Sequence, residues 1–383
     1  MAHLCALILV CCFSQALALA QSIPRETPMA TADRVKLPGW WPTKDTPKRD
    51  EYTGPAACAG CHADKAASTQ STPMLHASMT ADKAEILRSH NELNLQIGPY
   101  HYKIARTDDS SSYSVSDGTN SISTDLAWAF GIGEVGQTYV YQRNGHMYES
   151  RLSYYTNPQQ LDFSPGHPRS IPTSVENALG RPIHPPETGL CFGCHTTASS
   201  TSGYFDPSQL IPGVTCEACH GPGMEHVVAM TTGEWQHGKT FMLNPAKLKP
   251  VESVEFCGAC HRTAWDVALA GSKGVFNLRF APYRLENSRC WGDDGDARLT
   301  CMTCHDPHKP LVRDATSYDQ RCLRCHGNAS HASTGEKVAH TTCPNNTKDC
   351  VTCHMPKYEI PGMHANFTDH RIRIVKAGEP FSE

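Results

Sequence analysis

Hydrophobic and polar positions change their rhythm along the chain. Between Asn91 and Gly166, aromatic and β-branched residues recur in short runs: Tyr100-His-Tyr-Lys-Ile104, Ser112-Tyr-Ser-Val115, Thr138-Tyr-Val-Tyr141 and Tyr148 to Tyr155. Such runs suit half-buried strands, whose side chains point alternately to opposite faces. Asp117-Gly118 and Asn144-Gly145 punctuate them, and an Asn-Gly step favours a tight hairpin turn. The pattern predicts an antiparallel β insert of about four to six strands.

Outside that region the apolar residues fall in short clusters interrupted by Pro and Gly. Short helices are expected over 64–76, 173–179, 216–230, 254–270 and 318–325. Five prolines between Pro24 and Pro47 make 21–57 an extended arm, with Trp40-Trp41 packing on a neighbouring surface. Met1 to Ala20 is apolar and ends in Ala18-Leu19-Ala20, the small-x-small pattern of a signal peptide. No Lys or Arg precedes it, which leaves an uncleaved anchor as the alternative. No later stretch is long and apolar enough to span a bilayer, so no membrane span is expected in the mature chain.

Composition sharpens this picture. Only 39% of the 383 residues are hydrophobic, whereas there are 28 Gly, 27 Pro, 19 Cys and 21 His. Side chains alone would build a thin core, so a bound group must supply apolar surface. The net charge of −4 and scattered Lys and Arg offer no basic stripe, which excludes nucleic acid as a partner.

The cysteines say what that group is. Cys-x-x-Cys-His occurs seven times: Cys58/Cys61/His62, Cys191/Cys194/His195, Cys216/Cys219/His220, Cys257/Cys260/His261, Cys301/Cys304/His305, Cys322/Cys325/His326 and Cys350/Cys353/His354. Two thiols three residues apart can add to the two vinyl groups of one porphyrin, and the next His reaches its iron. A single copy could be half a zinc site or a redox dithiol, but zinc sites do not demand His after every second Cys. Seven covalent c-type haems are therefore expected. The fold class expected is a mainly α, loop-rich chain organised around stacked haems, with a small antiparallel β insert between motifs one and two. Its segments are a signal peptide (1–20), a Pro-rich arm (21–57), a first haem segment (58–90), a β-rich insert (91–166) and a segment with six motifs (167–383). Cys290 and Cys343 lie outside both motifs and signal. In an exported protein they most simply form a disulfide, the alternative being a reactive thiol near a haem.

What fills the sixth position of each iron separates a relay from a catalyst. His226 and His308 follow their motifs by turns, Cys-His-Gly-Pro-Gly-Met-Glu-His and Cys-His-Asp-Pro-His, that stop the helix and point the second His to a neighbouring iron. His364, His370, His76, His340 and His184 complete the expected set, with Asp369 orienting His370. His167 and His331 stand in reserve, and His90, His101, His146 and His237 are bystanders. Met355, adjacent to His354, cannot fold back to the same iron.

The stretches at Cys216 (Cys-Glu-Ala-Cys-His-Gly-Pro-Gly-Met-Glu-His), Leu299 (Leu-Thr-Cys-Met-Thr-Cys-His-Asp-Pro-His) and Cys350 (Cys-Val-Thr-Cys-His-Met-Pro-Lys), with Phe-Thr-Asp-His-Arg-Ile, Phe130 to Tyr139 and Ser164-Pro-Gly-His167, resemble the cytochrome c-554-like multihaem proteins. These are relatives of hydroxylamine oxidoreductase and pentahaem nitrite reductase. The resemblance covers roughly Cys58 to Ile374 and implies stacked, mostly bis-His haems and a periplasmic role. Nitrite reductases of that kind replace the His of one motif by Lys, whereas all seven keep His here. A haem-crosslinking tyrosine is not placed among Tyr148, Tyr154, Tyr155 and Tyr204, so no catalytic residue is carried over. The expected function is electron transfer to redox partner proteins, donor and acceptor. The alternative is an oxidoreductase acting on a small nitrogen or sulfur compound, such as nitrite or hydroxylamine, at one five-coordinate haem. A haem-bearing scaffold or sensor is the third reading.

Mass spectrometry of the exported protein should find seven covalently added haems. Replacing both cysteines of one motif by Ser should remove one.

Overall fold

The computed structural model describes residues 29–34, 48–201, 204–208, 210–291, 298–327, 343 and 347–383. The expected signal peptide, most of the expected Pro-rich arm with Trp40-Trp41, Cys5, Cys11, Cys12, His331 and His340 lie outside these residues.

Nine antiparallel strands form the largest element: β1 (Ser78–Thr80), β2 (Glu92–Ile97), β3 (Tyr100–Thr107), β4 (Ser110–Ser116), β5 (Ser121–Phe130), β6 (Gly136–Arg143), β7 (His146–Tyr155), β8 (Gln160–Phe163) and β9 (Gly180–Ile183). They run in the order β2-β3-β4-β5-β6-β7-β8, with β1 added on β5 and β9 on β7. β2 comes alongside β8, so the sheet curls until it is nearly closed. Successive strands are joined by turns that tolerate left-handed backbone. Asn144 and Gly145, at φ 50° and 77°, make the two-residue turn between β6 and β7.

Alternation places Tyr102, Ile104, Tyr113, Val115, Tyr139, Tyr141 and Leu152 in one buried cluster. A short helix, Val175–Leu179, packs Val175, Ala178 and Leu179 into the same cluster. This corrects the expected fold class: the protein is not mainly α with a small β insert. The four aromatic runs lie in β3, β4, β6 and β7, but β2 carries the same alternation with aliphatic residues, and β5 is aliphatic at Ile122 and Leu126 and aromatic only at its end, Trp128 and Phe130. Glu-Leu-Asn-Leu-Gln-Ile in β2 pairs residue for residue with β3. β1 and β9, three and four residues long, are too short to show a period and lie outside the 91–166 window.

The rest of the chain is short helices and turns. Expected helices break where the backbone turns left-handed. Gly221 (φ 90°) separates Cys216–His220 from Met224–Thr232, and Arg262 (φ 65°) separates Pro250–His261 from Ala264–Ala270. Helices of four to twelve residues are not stable alone, so their packing must hold them. One anchor is a buried ion pair: Arg284 donates through Nε and Nη2 to the Asp369 carboxylate at 2.8 and 2.9 Å, and both side chains are fully buried. Asp369 also accepts from the Arg371 N–H and from Arg373. It is therefore committed to arginines and does not orient His370 as expected; the His370 Nδ1 faces the Thr368 carbonyl at 3.1 Å.

Burial alone would raise the Asp369 pKa, but the donors from Arg284, Arg371 and Arg373 outweigh it and hold the carboxyl below its ordinary value. Its stabilisation is complete above about pH 4, the unfolded value, and is lost as the pH falls through the lower folded value. Asp369→Ala strands Arg284 in the interior and should cost about 3–5 kcal/mol in denaturant unfolding. A cost near zero would mean that the pair anchors nothing.

Candidate haem-binding motifs and their histidines

Each Cys-x-x-Cys-His lies on or at the end of a short helix: Pro55–Ala59, Pro185–His195, Cys216–His220, Pro250–His261, Cys301–Cys304, Asp319–His326 and Cys350–His354. Residues three apart on a helix share a face, so one turn presents both thiols to one side. Three pairs of helices meet at their first cysteines. Cys58 contacts Cys216, Cys257 contacts Cys301, and Cys322 contacts Cys350. The second motif, with Cys191 half-buried, meets the fourth through its second cysteine instead: the Cys194 thiol is 3.7 Å from the Ala259 carbonyl.

The second cysteines differ in their surroundings. Cys194, Cys219 and Cys260 are half-buried, whereas Cys61, Cys304, Cys325 and Cys353 are exposed. Cys260, of the fourth motif, lies beside the His195 ring of the second. Burial lowers the His195 pKa, and the Ala77 carbonyl and then Cys260 act against it. The cause is packing of the two helices, since Pro250–His261 and Pro185–His195 touch along this side. Cys353 instead accepts the hydroxyl of its neighbour Thr352 at 3.9 Å. Its helix is a single turn that meets the sixth motif through Cys350, which leaves the second thiol at the surface.

Carboxylates reinforce two of the helix pairs. Glu217, inside the third motif, accepts the Thr53 and Gly54 N–H groups at 2.8 Å, just before the first motif's helix. Asp319, at the head of the sixth motif's helix, accepts the Asp349 and Cys350 N–H groups at 2.8 and 2.9 Å, where the seventh motif's helix begins. In each case an acid from one helix satisfies orphan donors at or just before the start of the next. The Cys350 N–H holds the Asp319 carboxyl below its ordinary value, against the opposing effect of burial.

The histidines form pairs. His62 and His226 have ring centres 6.4 Å apart at an interplanar angle of 20°, His220 and His308 are 6.0 Å apart at 13°, and His305 and His370 are 6.3 Å apart at 47°. Two imidazoles on opposite sides of one iron, each bonded at about 2 Å, have ring centres roughly 6.3 Å apart. The residues thus fit a metal held between each pair. The back of the rings is fixed as well. Nδ1 of His220 faces the Leu243 carbonyl at 2.8 Å, that of His226 the Gly238 carbonyl at 2.9 Å, and that of His308 the Asp306 carboxylate at 3.4 Å. A carbonyl can only accept, so Nδ1 carries the proton and Nε2 keeps its lone pair for a metal. Burial lowers the pKa of His195, His305, His308 and His370, the last to about 4, so these rings are neutral, as ligation requires.

Other motif histidines are gripped in the same way without an opposing imidazole. His195 Nδ1 faces the Ala77 carbonyl at 3.0 Å and its ring meets Phe130 edge-on at 5.1 Å. His354 Nδ1 faces the Arg373 carbonyl at 2.9 Å. Among the described residues no imidazole stands at the paired spacing from His195, His261 or His354.

Several expected distal ligands are placed differently. His76 has Nε2 2.6 Å from the Gln70 carbonyl, and His364 has Nε2 2.8 Å from Asp162 with its ring against Tyr155. His184 is exposed and starts the helix Pro185–His195. The reserve His167 binds Glu149 through Nε2 at 3.2 Å. Among the bystanders, His90 packs on Tyr154, His237 packs on Phe241, and His101 and His146 are exposed. No group of three or more His, Cys, Asp or Glu among the described residues could hold a bare metal ion. The motifs therefore do not merge into cages of the zinc kind.

Cys290 corrects another expectation. It is an unbonded thiol in the turn Arg289–Trp291, near the cysteines of the sixth motif, and forms no disulfide with Cys343. Burial, and then Cys325, raise its pKa.

Residues 173–221, which hold the second and third motifs, match the family described as cytochrome c554 and c-prime. Among solved structures, the chain is similar to the crystal structure of the outer cell wall cytochrome OcwA. The two are 14% identical, with a TM-score of 0.50 over 84% of this chain and 80% of that one. No curated protein matches. The family match is confined to residues 173–221 and the structural likeness is one of fold; neither extends to hydroxylamine oxidoreductase or pentahaem nitrite reductase. Among the described residues no helix is long and apolar enough to cross a membrane.

Alkylation of the denatured, unreduced protein should label Cys290, and the native protein should label far more slowly because burial disfavours the thiolate. An unlabelled Cys290 after denaturation would restore the disulfide.

Proposed function

We propose that the protein is an exported, periplasmic cytochrome carrying seven c-type haems, which passes electrons between redox partner proteins. The observation that carries this reading is the set of three imidazole pairs at 6.0–6.4 Å. His62 and His226 would hold the iron of the first motif, His220 and His308 that of the third, and His305 and His370 that of the fifth. Cys257 with Cys260, and Cys350 with Cys353, would anchor the fourth and seventh haems by the same thioether chemistry as the other motifs. A haem bound between two histidines supplies a one-electron couple with no position open to substrate.

The chain's own contribution is order. Each second histidine comes from later in the sequence: His226 follows the third motif, His308 the fifth, and His370 the seventh. Motif one is thereby tied to three, three to five, and five to the C-terminal segment. The thiol contacts between motifs one and three, four and five, and six and seven support neighbouring haem edges, as electron hopping needs. His76 and His364 have Nε2 engaged by other groups and are not used in this assignment.

The alternative, an oxidoreductase for a small nitrogen or sulfur compound, draws on one observation: His195 is buried against Phe130 with no imidazole opposite among the described residues. EPR of the ferric wild type separates the two. A high-spin signal integrating to one haem, together with turnover of nitrite or hydroxylamine, would overturn the carrier reading.

Replacing His226, His308 or His370 by Ala should each open one iron, read as one added haem equivalent of carbon monoxide binding. His76→Ala and His364→Ala should open none. The reverse outcome would refute the assignment.

A further inference from the structure

We propose that Glu217 is a positioning residue for both axial histidines of one iron, that of the first motif. The inference rests on the reading of His62 and His226 as that iron's ligands. Glu217 is the second residue of the third motif, and it is fully buried. Its Oε1 accepts the N–H of Thr53 and of Gly223, each at 2.8 Å, and the Thr53 hydroxyl at 3.3 Å. Its Oε2 accepts the Gly54 N–H at 2.8 Å.

Those donors belong to two helix starts. Gly54 is the N-cap of Pro55–Ala59, which leads into Cys58, Cys61 and His62. Gly223 is the N-cap of Met224–Thr232, which carries His226 in its first turn. N–H groups at the start of a helix have no partner within it, and the helix field there favours a carboxylate. One side chain therefore fixes where both helices begin, and the imidazoles they carry end up 6.4 Å apart. The fit at Gly223 is close: a Cβ there would lie 3.1 Å from both Glu217 Oε1 and Thr53 Oγ1.

A purely structural acid would lower stability and leave ligation intact. A positioning acid, once removed, lets the two imidazoles lose their register, and His226, which has no neighbouring thioethers of the kind Cys58 and Cys61 would give His62, is the one that leaves the iron. Gln keeps the volume and one acceptor oxygen, but turns an amide N–H₂ toward backbone donors. Its effect should be partial.

The test uses the full haem-loaded chain with Glu217→Gln, Glu217→Ala, His226→Ala and the double variant Glu217→Ala/His226→Ala. Haem content is checked by mass, and open irons are counted by carbon monoxide binding. His226→Ala should add one haem equivalent of binding, Glu217→Ala the same one, Glu217→Gln a fraction of one, and the double variant one and no more. If His226→Ala opens an iron but both Glu217 variants, with full haem content, open none, the positioning role is overturned. Two open irons in the double variant would also overturn it, since the residues would then act on different haems. If His226→Ala opens none, the ligand assignment fails, and this inference with it. Should Glu217→Ala not assemble, Glu217→Gln decides alone: partial opening supports the role and full closure overturns it.

Discussion

The arrangement depends on a modest interaction repeated many times, a hydrogen bond from the back of an imidazole to a main-chain carbonyl. Leu243 holds His220 in this way, Gly238 holds His226, Ala77 holds His195, Arg373 holds His354 and Thr368 holds His370. Each bond contributes about 1 kcal/mol net, yet it fixes the tautomer and the direction of the free nitrogen, which a metal site needs more than it needs strength. The carbonyls lie from 2 residues away, Thr368 to His370, to 118 away, Ala77 to His195, and those of Leu243, Gly238, Ala77 and Arg373 belong to segments outside the helix that carries the histidine. A local signature thus depends on the whole fold.

Two halves of the molecule solve the problem of a sparse apolar composition differently. The nine-stranded sheet buries tyrosines, leucines and valines in a core of its own. The helical part has only a small described cluster, Leu278, Ile360 and Met363, and depends on polar anchors: the Arg284–Asp369 pair, the Glu217 and Asp319 carboxylates, and Thr31 hydrogen-bonded to Thr263 and Asp266. Such anchors make an interior specific in geometry but supply little net cohesion. Porphyrin surface is the apolar complement that this part calls for.

Much was legible in the sequence because the motifs are local. Seven pentapeptides, the glycine and proline turns after Cys219 and Cys304, and the Asn144-Gly145 hairpin need no tertiary knowledge. The sheet was under-read because β2 alternates with aliphatic rather than aromatic residues, β5 holds its aromatics, Trp128 and Phe130, only at its end, and β1 and β9 are too short for any period to emerge. Sequence proximity does not show what the structure places at these rings: His76 meets the Gln70 carbonyl, and His364 meets Asp162 across the fold. A shared Cys-x-x-Cys-His pattern also concealed unlike settings: Cys260 is packed beside another motif's histidine, while Cys353 lies at the surface. Asp369 beside His370 suggested a partnership that the arginines pre-empt. Glu217 carried a signal that was passed over: a charged residue inside a motif that otherwise lies against an apolar macrocycle requires donors of its own.

The near-closure of the sheet bears on how the molecule is made. A barrel-like unit with its own interior and little unpaired edge does not wait for a cofactor, and offers few exposed strands for wrong pairing. In a chain that emerges from its N-terminus, this unit follows the first attachment motif and precedes the other six. It can therefore be complete while the downstream cysteines still await ligation, a preassembled abutment on which a thinly cored, cofactor-dependent remainder is laid down one porphyrin at a time.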